Sequence, residues 1–103
     1  MPRLLDDEET TRQLRDLPGW WREGLALRAS YTAPDFATAV RLIDEIAAEA
    51  EAMDHHPDVD LRWCTVTLYH STHSAGGVTQ LDVELAHRAR EWAQRLGAAV
   101  VQP

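Results

Sequence analysis

The apolar residues of this chain repeat with two different periods, and the period changes four times from one end to the other. Alternation of apolar and polar residues is typical of a half-buried β-strand, whereas steps of three and four residues are typical of an amphipathic helix. Residues 20–31 alternate, and Glu23-Gly24 divides them, which predicts a β-hairpin. A second strand pair is predicted to end with residues 63–72. There one face carries Val66 and Leu68, and the other carries Thr65, Thr67 and Tyr69.

Three segments carry the helical repeat. Residues 6–16 begin with acids, which suit a helix N-terminus, and Pro18-Gly19 ends the segment. A long helix follows Pro34-Asp35 and ends before Pro57, because a proline disfavours helical backbone in the residue before it. Residues 79–82 form a predicted capping box that opens a last helix, which Gly97 is placed to end. The predicted buried stripes are Phe36, Val40, Ile43, Ala47, Ala50 and Met53 in the long helix, and Leu81, Leu85, Ala89, Trp92, Ala93 and Leu96 in the last one.

The order of these elements predicts the fold class. A chain of 103 residues holds one domain and is too short for two separate cores. The order α-β-β-α-β-β-α therefore describes a single α+β domain over residues 1–103, with a four-stranded antiparallel sheet and helices packed on one face. No helix layer is left to cover the face that carries Thr65, Thr67 and Tyr69, and an exposed sheet face of that kind often meets a partner.

Composition narrows the classes of function. All ten basic residues are arginines against 17 acids, which gives a formal charge of −7. This charge argues against nucleic acid and anionic membranes as partners and leaves a small molecule or a protein. The absence of lysine excludes Schiff-base and P-loop chemistry. The lone Cys64, the acidic start of the chain and the absence of a long apolar run lead us to expect a cytoplasmic protein without a disulfide.

Four of the five histidines lie within nineteen residues, at positions 55, 56, 70 and 73. Histidine titrates near neutral pH, so the cluster points to acid–base catalysis. Glu51 lies one helical turn before His55, where a carboxylate could orient the ring and raise its basicity. Gly76-Gly77, beside His73, would let the backbone approach a planar ligand closely.

Each of these residues also has a purely structural interpretation. A histidine pair at a helix end can act only as a cation near the helix dipole. His70 and His73 resemble a zinc pair in spacing, yet on a strand their rings point to opposite faces. The cap accounts for Asp82 and packing for Trp63, while His87 is expected on the surface.

Taken together, seven residues over thirty-two positions resemble the signature of the pterin-4a-carbinolamine dehydratase family. The similarity extends from about residue 20 to residue 92, and the family shares the predicted order of elements. The flanking matches include Gly19-Trp20, Ser71-Thr72 and Gly77-Val78. The seven residues are Glu51, His55, His56, Pro57, Trp63, His73 and Asp82.

The resemblance implies a dehydratase that acts on 4a-hydroxytetrahydrobiopterin in tetrahydropterin recycling, without a metal or organic cofactor. It implies that His55, His56 and His73 are the active-site histidines. Our own expectation for their roles is that His55 and His73 exchange protons and that His56 binds the pterin. Glu51 would orient His55. The remaining residues expected to bind substrate or support the site are Pro57, Trp63, Thr72 and Asp82.

Two residues depart from the family pattern. His70 stands where the family usually has an aliphatic residue, and Cys64 stands where a polar residue is common. A core imidazole is costly without a hydrogen bond, so either the strand end is solvated or His70 has acquired a role. The same fold also serves non-catalytic proteins, namely a dimerisation cofactor of a transcription factor and a Rubisco assembly factor, which leaves a binding or assembly module as the alternative. The resemblance also implies a homodimer or a homotetramer.

Overall fold

The computed structural model describes residues 2–103 and contains three helices and five strands. In chain order these are α1 (Asp7–Leu14), β1 (Trp21–Glu23), β2 (Ala26–Thr32), α2 (Phe36–Met53), β3 (Asp58–Arg62), β4 (Thr65–His70), α3 (Gln80–Arg95) and β5 (Ala99–Val101). The predicted α+β class and the order of the first seven elements are confirmed. Within residues 2–103, no helix combines the length and the apolar character needed to cross a membrane.

All strand pairs of the sheet are antiparallel, and the order across it is β1-β2-β4-β3. The sheet has a fifth strand that the sequence did not predict, because β5 pairs with β2 beside β1. Residues 26–28 of β2 pair with β1, and residues 30–32 pair with β5. The β5 segment is only three residues long and begins four residues after the end of α3, so its alternation is too short to predict a strand.

The core lies between one face of the sheet and the two longer helices. Strand side chains from Leu27, Val66 and Leu68 are fully buried there. The opposite face of β2 and β4 is polar. Hydroxyl pairs cross that face, with Ser30 Oγ 2.7 Å from Thr67 Oγ1.

The buried stripe of α2 differs from the prediction. The structure buries Ala39, Leu42, Ile46 and Ala50, whereas the predicted Phe36 and Val40 are 53% and 37% exposed. Both sets of residues have helical spacing, because α2 is apolar over more than one face. Packing against α3 and β4 decides which of the two neighbouring stripes is covered.

Side-chain caps fix where the helices begin, and residues with left-handed backbone mark where α2 and α3 end. Asp35 accepts a hydrogen bond of 2.7 Å from the Thr38 backbone N–H at the start of α2. At the other end of α2, Asp54 adopts a left-handed conformation with φ 49°. The predicted capping box at Thr79 is present, and Gly97 follows α3 with φ 71°. The end of α2 and the start of α3, near Thr79, bring the candidate residues together.

Candidate active site

A buried carboxylate at the start of α3 is the centre of the candidate site. Asp82 is fully buried, and its Oδ2 accepts hydrogen bonds of 2.8 Å from the Thr79 backbone N–H and from the Thr72 hydroxyl. Because Thr72 gives its hydrogen to Asp82, the Thr79 hydroxyl donates to Thr72 Oγ1, 2.7 Å away. Asp82 is therefore more than a helix cap, since the end of β4 and the start of α3 both hold it in place.

His55 is hydrogen-bonded to the other oxygen of this carboxylate. Its Nε2 lies 2.6 Å from Asp82 Oδ1, and the His55 side chain is only 9% exposed. A carboxylate only accepts, so Nε2 carries the hydrogen, and the neutral ring keeps its lone pair on Nδ1. The geometry thus fixes the tautomer and the orientation of an imidazole whose remaining nitrogen can accept a proton.

The left-handed turn at Asp54 directs His55 inward. The His55 backbone N–H donates to the carbonyl of Ala50 over 3.0 Å, so the chain closes the helix and then leaves it. An i,i+4 contact between Glu51 and His55 would require the helix to continue, but α2 ends at Met53.

Glu51 contacts His56 instead, which corrects the expectation that it orients His55. The carboxylate Oε2 of Glu51 is paired with Nε2 of His56, and both side chains are largely exposed. A groove of about 260 Å³ adjoins this pair, and Pro57 and Val59 are among its lining residues. The His56–Glu51 pair is thus at the solvent edge of the region in which His55 is buried.

His73 lies on the loop between β4 and α3. It follows Thr72 directly, and its side chain is exposed. The loop closes tightly, because the Thr72 N–H donates to the Gly77 carbonyl over 2.9 Å and the Gly76 N–H donates back to the Thr72 carbonyl over 2.9 Å. A second imidazole is therefore attached by the backbone to the residue that holds Asp82.

The two glycines of this loop have different surroundings. Gly76 has φ 78°, and a Cβ at this position would meet nothing within 4 Å, which leaves the open space expected for close approach of a ligand. A Cβ on Gly77 would lie 3.0 Å from Leu4 Cδ2, so this glycine makes room for the N-terminal segment.

His70 is buried against the backbone of Asp82. Its side chain is fully buried, and its Nδ1 lies 3.3 Å from the backbone carbonyl oxygen of Asp82. Its ring stacks at a tilt on Trp20, with centroids 4.8 Å apart. Burial lowers the pKa of His70 to about 4. Because the His70 side chain is fully buried, the end of the strand is not solvated. The sequence contained no signal for the contact of His70 with Asp82.

Trp63 does not shape this site within the chain, contrary to the expectation. It occupies the two-residue turn between β3 and β4, is 79% exposed and has φ 51°. The register places Arg62 opposite Thr65 at that turn, whereas Asp58 pairs with Tyr69 at the histidine end. Strands rise about 3.4 Å per residue, so the turn is about 15 Å from the histidines. The interpretation of Trp63 as a packed core residue is wrong as well.

His70 and His73 have the spacing of a zinc pair, although no metal site was expected from the sequence. Among residues 2–103, no group of three or more His, Cys, Asp or Glu side chains is arranged to hold a metal ion.

Known protein families and relatives are similar to this chain over most of its length. The family model described as pterin 4 alpha carbinolamine dehydratase matches residues 3–92. A Nocardia farcinica protein named "Putative pterin-4-alpha-carbinolamine dehydratase" is 46% identical over 91 residues, which cover 88% of this chain and 96% of that protein. A Mycobacteroides abscessus protein of the same name is 48% identical over 83 residues, covering 81% of this chain and 88% of that one.

A solved structure has the same fold. The crystal structure described as a transcriptional coactivator/pterin dehydratase from Brucella melitensis superposes with a TM-score of 0.84 at 34% identity, over 86% of this chain and 97% of that one. The family match spans the whole histidine and Asp82 arrangement. The chain belongs to the pterin-4-alpha-carbinolamine dehydratase family.

Proposed function

We propose that the protein is a 4a-hydroxytetrahydrobiopterin dehydratase, a carbon–oxygen lyase that works by histidine acid–base catalysis. The observation that carries the proposal is the buried Asp82–His55 pair, because a carboxylate that fixes the imidazole tautomer makes the other ring nitrogen a directed proton acceptor. His73, one residue beyond the hydroxyl that holds Asp82, provides a second imidazole.

The reaction needs one proton removed and one proton delivered. A base takes the N5 proton of the substrate, and that electron pair forms the N5–C4a double bond. The C4a–O bond breaks as an acid protonates the departing hydroxyl, so water leaves and quinonoid dihydropterin remains. His55 Nδ1 and the His73 ring are the proposed base and acid, and a proton returned through solvent restores both. His56, paired with Glu51 at the solvent edge, is the proposed pterin-binding residue.

The test compares the purified protein with the spontaneous reaction of freshly generated 4a-hydroxytetrahydropterin. Quinonoid dihydropterin is followed by absorbance for the wild type and for His55→Ala and His73→Ala. General acid–base catalysis contributes about 10²-fold or more, so each variant is expected to lose at least that much of the accelerated rate. His87→Ala is the matched control, since it removes an imidazole of α3 that is not among the hydrogen-bond partners of Asp82. Full activity in both site variants would refute the mechanism.

The alternative is a non-catalytic binding or assembly module. It gains support from the description of the Brucella melitensis structure, which names a transcriptional coactivator as well as a dehydratase. The retained histidines and the Asp82 network favour the enzyme. A folded wild-type protein that gives no acceleration over the spontaneous rate would favour the module instead.

We also propose that the protein forms a homodimer or a homotetramer. The exposed Phe36 and Val40 of α2 and the free edge of β3 are surfaces that self-association would cover. Light scattering on the purified protein is the measurement, and a monomer at micromolar concentration would contradict this proposal.

A further inference from the structure

His70 occupies a position where an aliphatic side chain would pack without any polar requirement. It is the last residue of β4, its side chain faces the core and is fully buried, and Trp20 covers one side of the ring. A buried imidazole is costly unless its ring nitrogens are hydrogen-bonded. Of its two ring nitrogens, Nε2 has no partner among the described residues, so the only polar contact of this ring is the one made by Nδ1.

That contact reaches the backbone of the residue whose side chain holds His55. Nδ1 lies 3.3 Å from the Asp82 carbonyl oxygen, and because a carbonyl only accepts, Nδ1 carries the hydrogen. The Asp82 backbone is in the first turn of α3, so the bond ties that turn to the end of β4. The Thr72 hydroxyl ties the Asp82 carboxylate to the same strand end. His70 thus holds the backbone of Asp82, and Thr72 holds its side chain, both from the end of β4.

The His70 ring also stays neutral at pH values above its lowered pKa. Burial lowers the pKa of His70 to about 4, although the nearby Asp82 acts in the opposite direction, and His55 is the other charged or titratable group that acts on it. A neutral His70 leaves the negative charge of Asp82 available to His55. A charged ring at this place would compete with His55 for the same carboxylate.

We propose that His70 is a positioning residue for His55, because its imidazole holds the first turn of α3 against β4 and so fixes the carboxylate that orients the His55 ring. This inference rests on the proposed acid–base use of His55. Misplacing a catalytic group slightly is enough to slow an enzyme strongly, so the effect is expected in turnover more than in substrate affinity.

The experiment uses three variants and two measurements. His70→Leu removes the donor, His70→Asn places an amide N–H near the position of Nδ1, and His70→Gln places it near Nε2. The first measurement is kcat and KM with 4a-hydroxytetrahydropterin. The second is the solvent exchange rate of the His55 Nε2–H by proton NMR, which reports the Asp82–His55 hydrogen bond and needs no turnover.

Loss of one buried hydrogen bond corresponds to about a tenfold change in an equilibrium. For His70→Leu we expect about tenfold lower kcat, KM within about twofold, and about tenfold faster exchange of the His55 proton. His70→Asn should recover most of both quantities, and His70→Gln should not. A merely structural role would lower stability without moving the exchange rate or distinguishing Asn from Gln.

Two outcomes would overturn the inference. One is a wild-type kcat and exchange rate in His70→Leu, and the other is identical behaviour of the Asn and Gln variants. If His70→Leu does not fold, the comparison of Asn with Gln still decides. If the wild type shows no dehydratase activity, the proposed function fails, while the exchange rates still show whether His70 fixes Asp82 and His55.

Discussion

The buried imidazole of His70 should make the protein sensitive to acid well above the range in which carboxylates protonate. In the unfolded chain a histidine titrates near its ordinary pKa of 6.5, whereas burial lowers the pKa of His70 in the folded protein to about 4. Between these values the unfolded state binds the extra proton, so stability rises with pH there. The stabilisation is complete above pH 6.5 and is lost as the pH falls toward 4.

The size of the effect follows from the separation of the two values. Each pKa unit corresponds to about 1.4 kcal/mol. Protonation of His70 in the unfolded chain therefore lowers the free energy of unfolding by about 3 kcal/mol between pH 7 and pH 4. For a domain of this length, whose total stability is of the order of 5–15 kcal/mol, that is a large fraction. His70→Leu removes the titrating group and keeps an apolar side chain of comparable size in the core.

The assay is urea unfolding of the wild type and His70→Leu, followed by tryptophan fluorescence at several pH values from 7 to 4. Carboxylate titration is common to both proteins and cancels in the comparison. We expect the wild type to lose about 3 kcal/mol more than the variant over this range. His87→Leu, which removes an imidazole outside the Asp82 network, is the matched control. Parallel curves for the wild type and His70→Leu would refute the reasoning.

Three further predictions concern stability at neutral pH. Thr72→Val should lower the free energy of unfolding by about 1–3 kcal/mol in urea titrations, because it leaves buried Asp82 without one donor, whereas Thr72→Ser should stay close to the wild type. Asp35→Ala should cost about 1 kcal/mol by the same measurement, since it removes the cap on the Thr38 N–H, and a smaller loss in Asp35→Asn would identify the cap as the cause. Trp63→Gly should raise the thermal midpoint by relieving about 1 kcal/mol of left-handed strain at an exposed side chain, without changing turnover. A destabilised Trp63→Gly would show that the indole makes contacts that stabilise the chain.

Local signals in the sequence were sufficient for the first seven elements, but not for the three-residue strand β5. The alternation around Leu27 and Val66 identified buried strand faces, and the Thr79–Asp82 spacing identified the start of α3, because both patterns act over a few residues. The predicted buried stripe of α2 was wrong except at Ala50, since an apolar helix with two possible faces is oriented by what packs on it.

The residues of the candidate site could be identified from sequence, but not their partners. Whether Glu51 meets His55 or His56 depends on a left-handed residue at Asp54, for which the sequence gives only a weak preference. The contact between His70 and Asp82 joins residues from different elements. Spacing along the chain carries no information about such a contact. Asp82 was therefore expected to cap α3 and to support the site, but its contacts with His55 and His70 were not predicted.

The paired edges of β2 have a consequence for how the domain folds. The residues of β2 on either side of Ala29 pair with the first and the last strand of the chain. Arg28 pairs with Trp21 of β1, and Ser30 pairs with Val101 of β5. The central strand therefore closes a loop of about seventy residues before its hydrogen bonding is complete, a non-local step that slows folding and makes it cooperative. Amide hydrogens in the middle of β2 should exchange only through global unfolding. A cleavage that frees β5 should therefore increase amide exchange at the centre of the sheet.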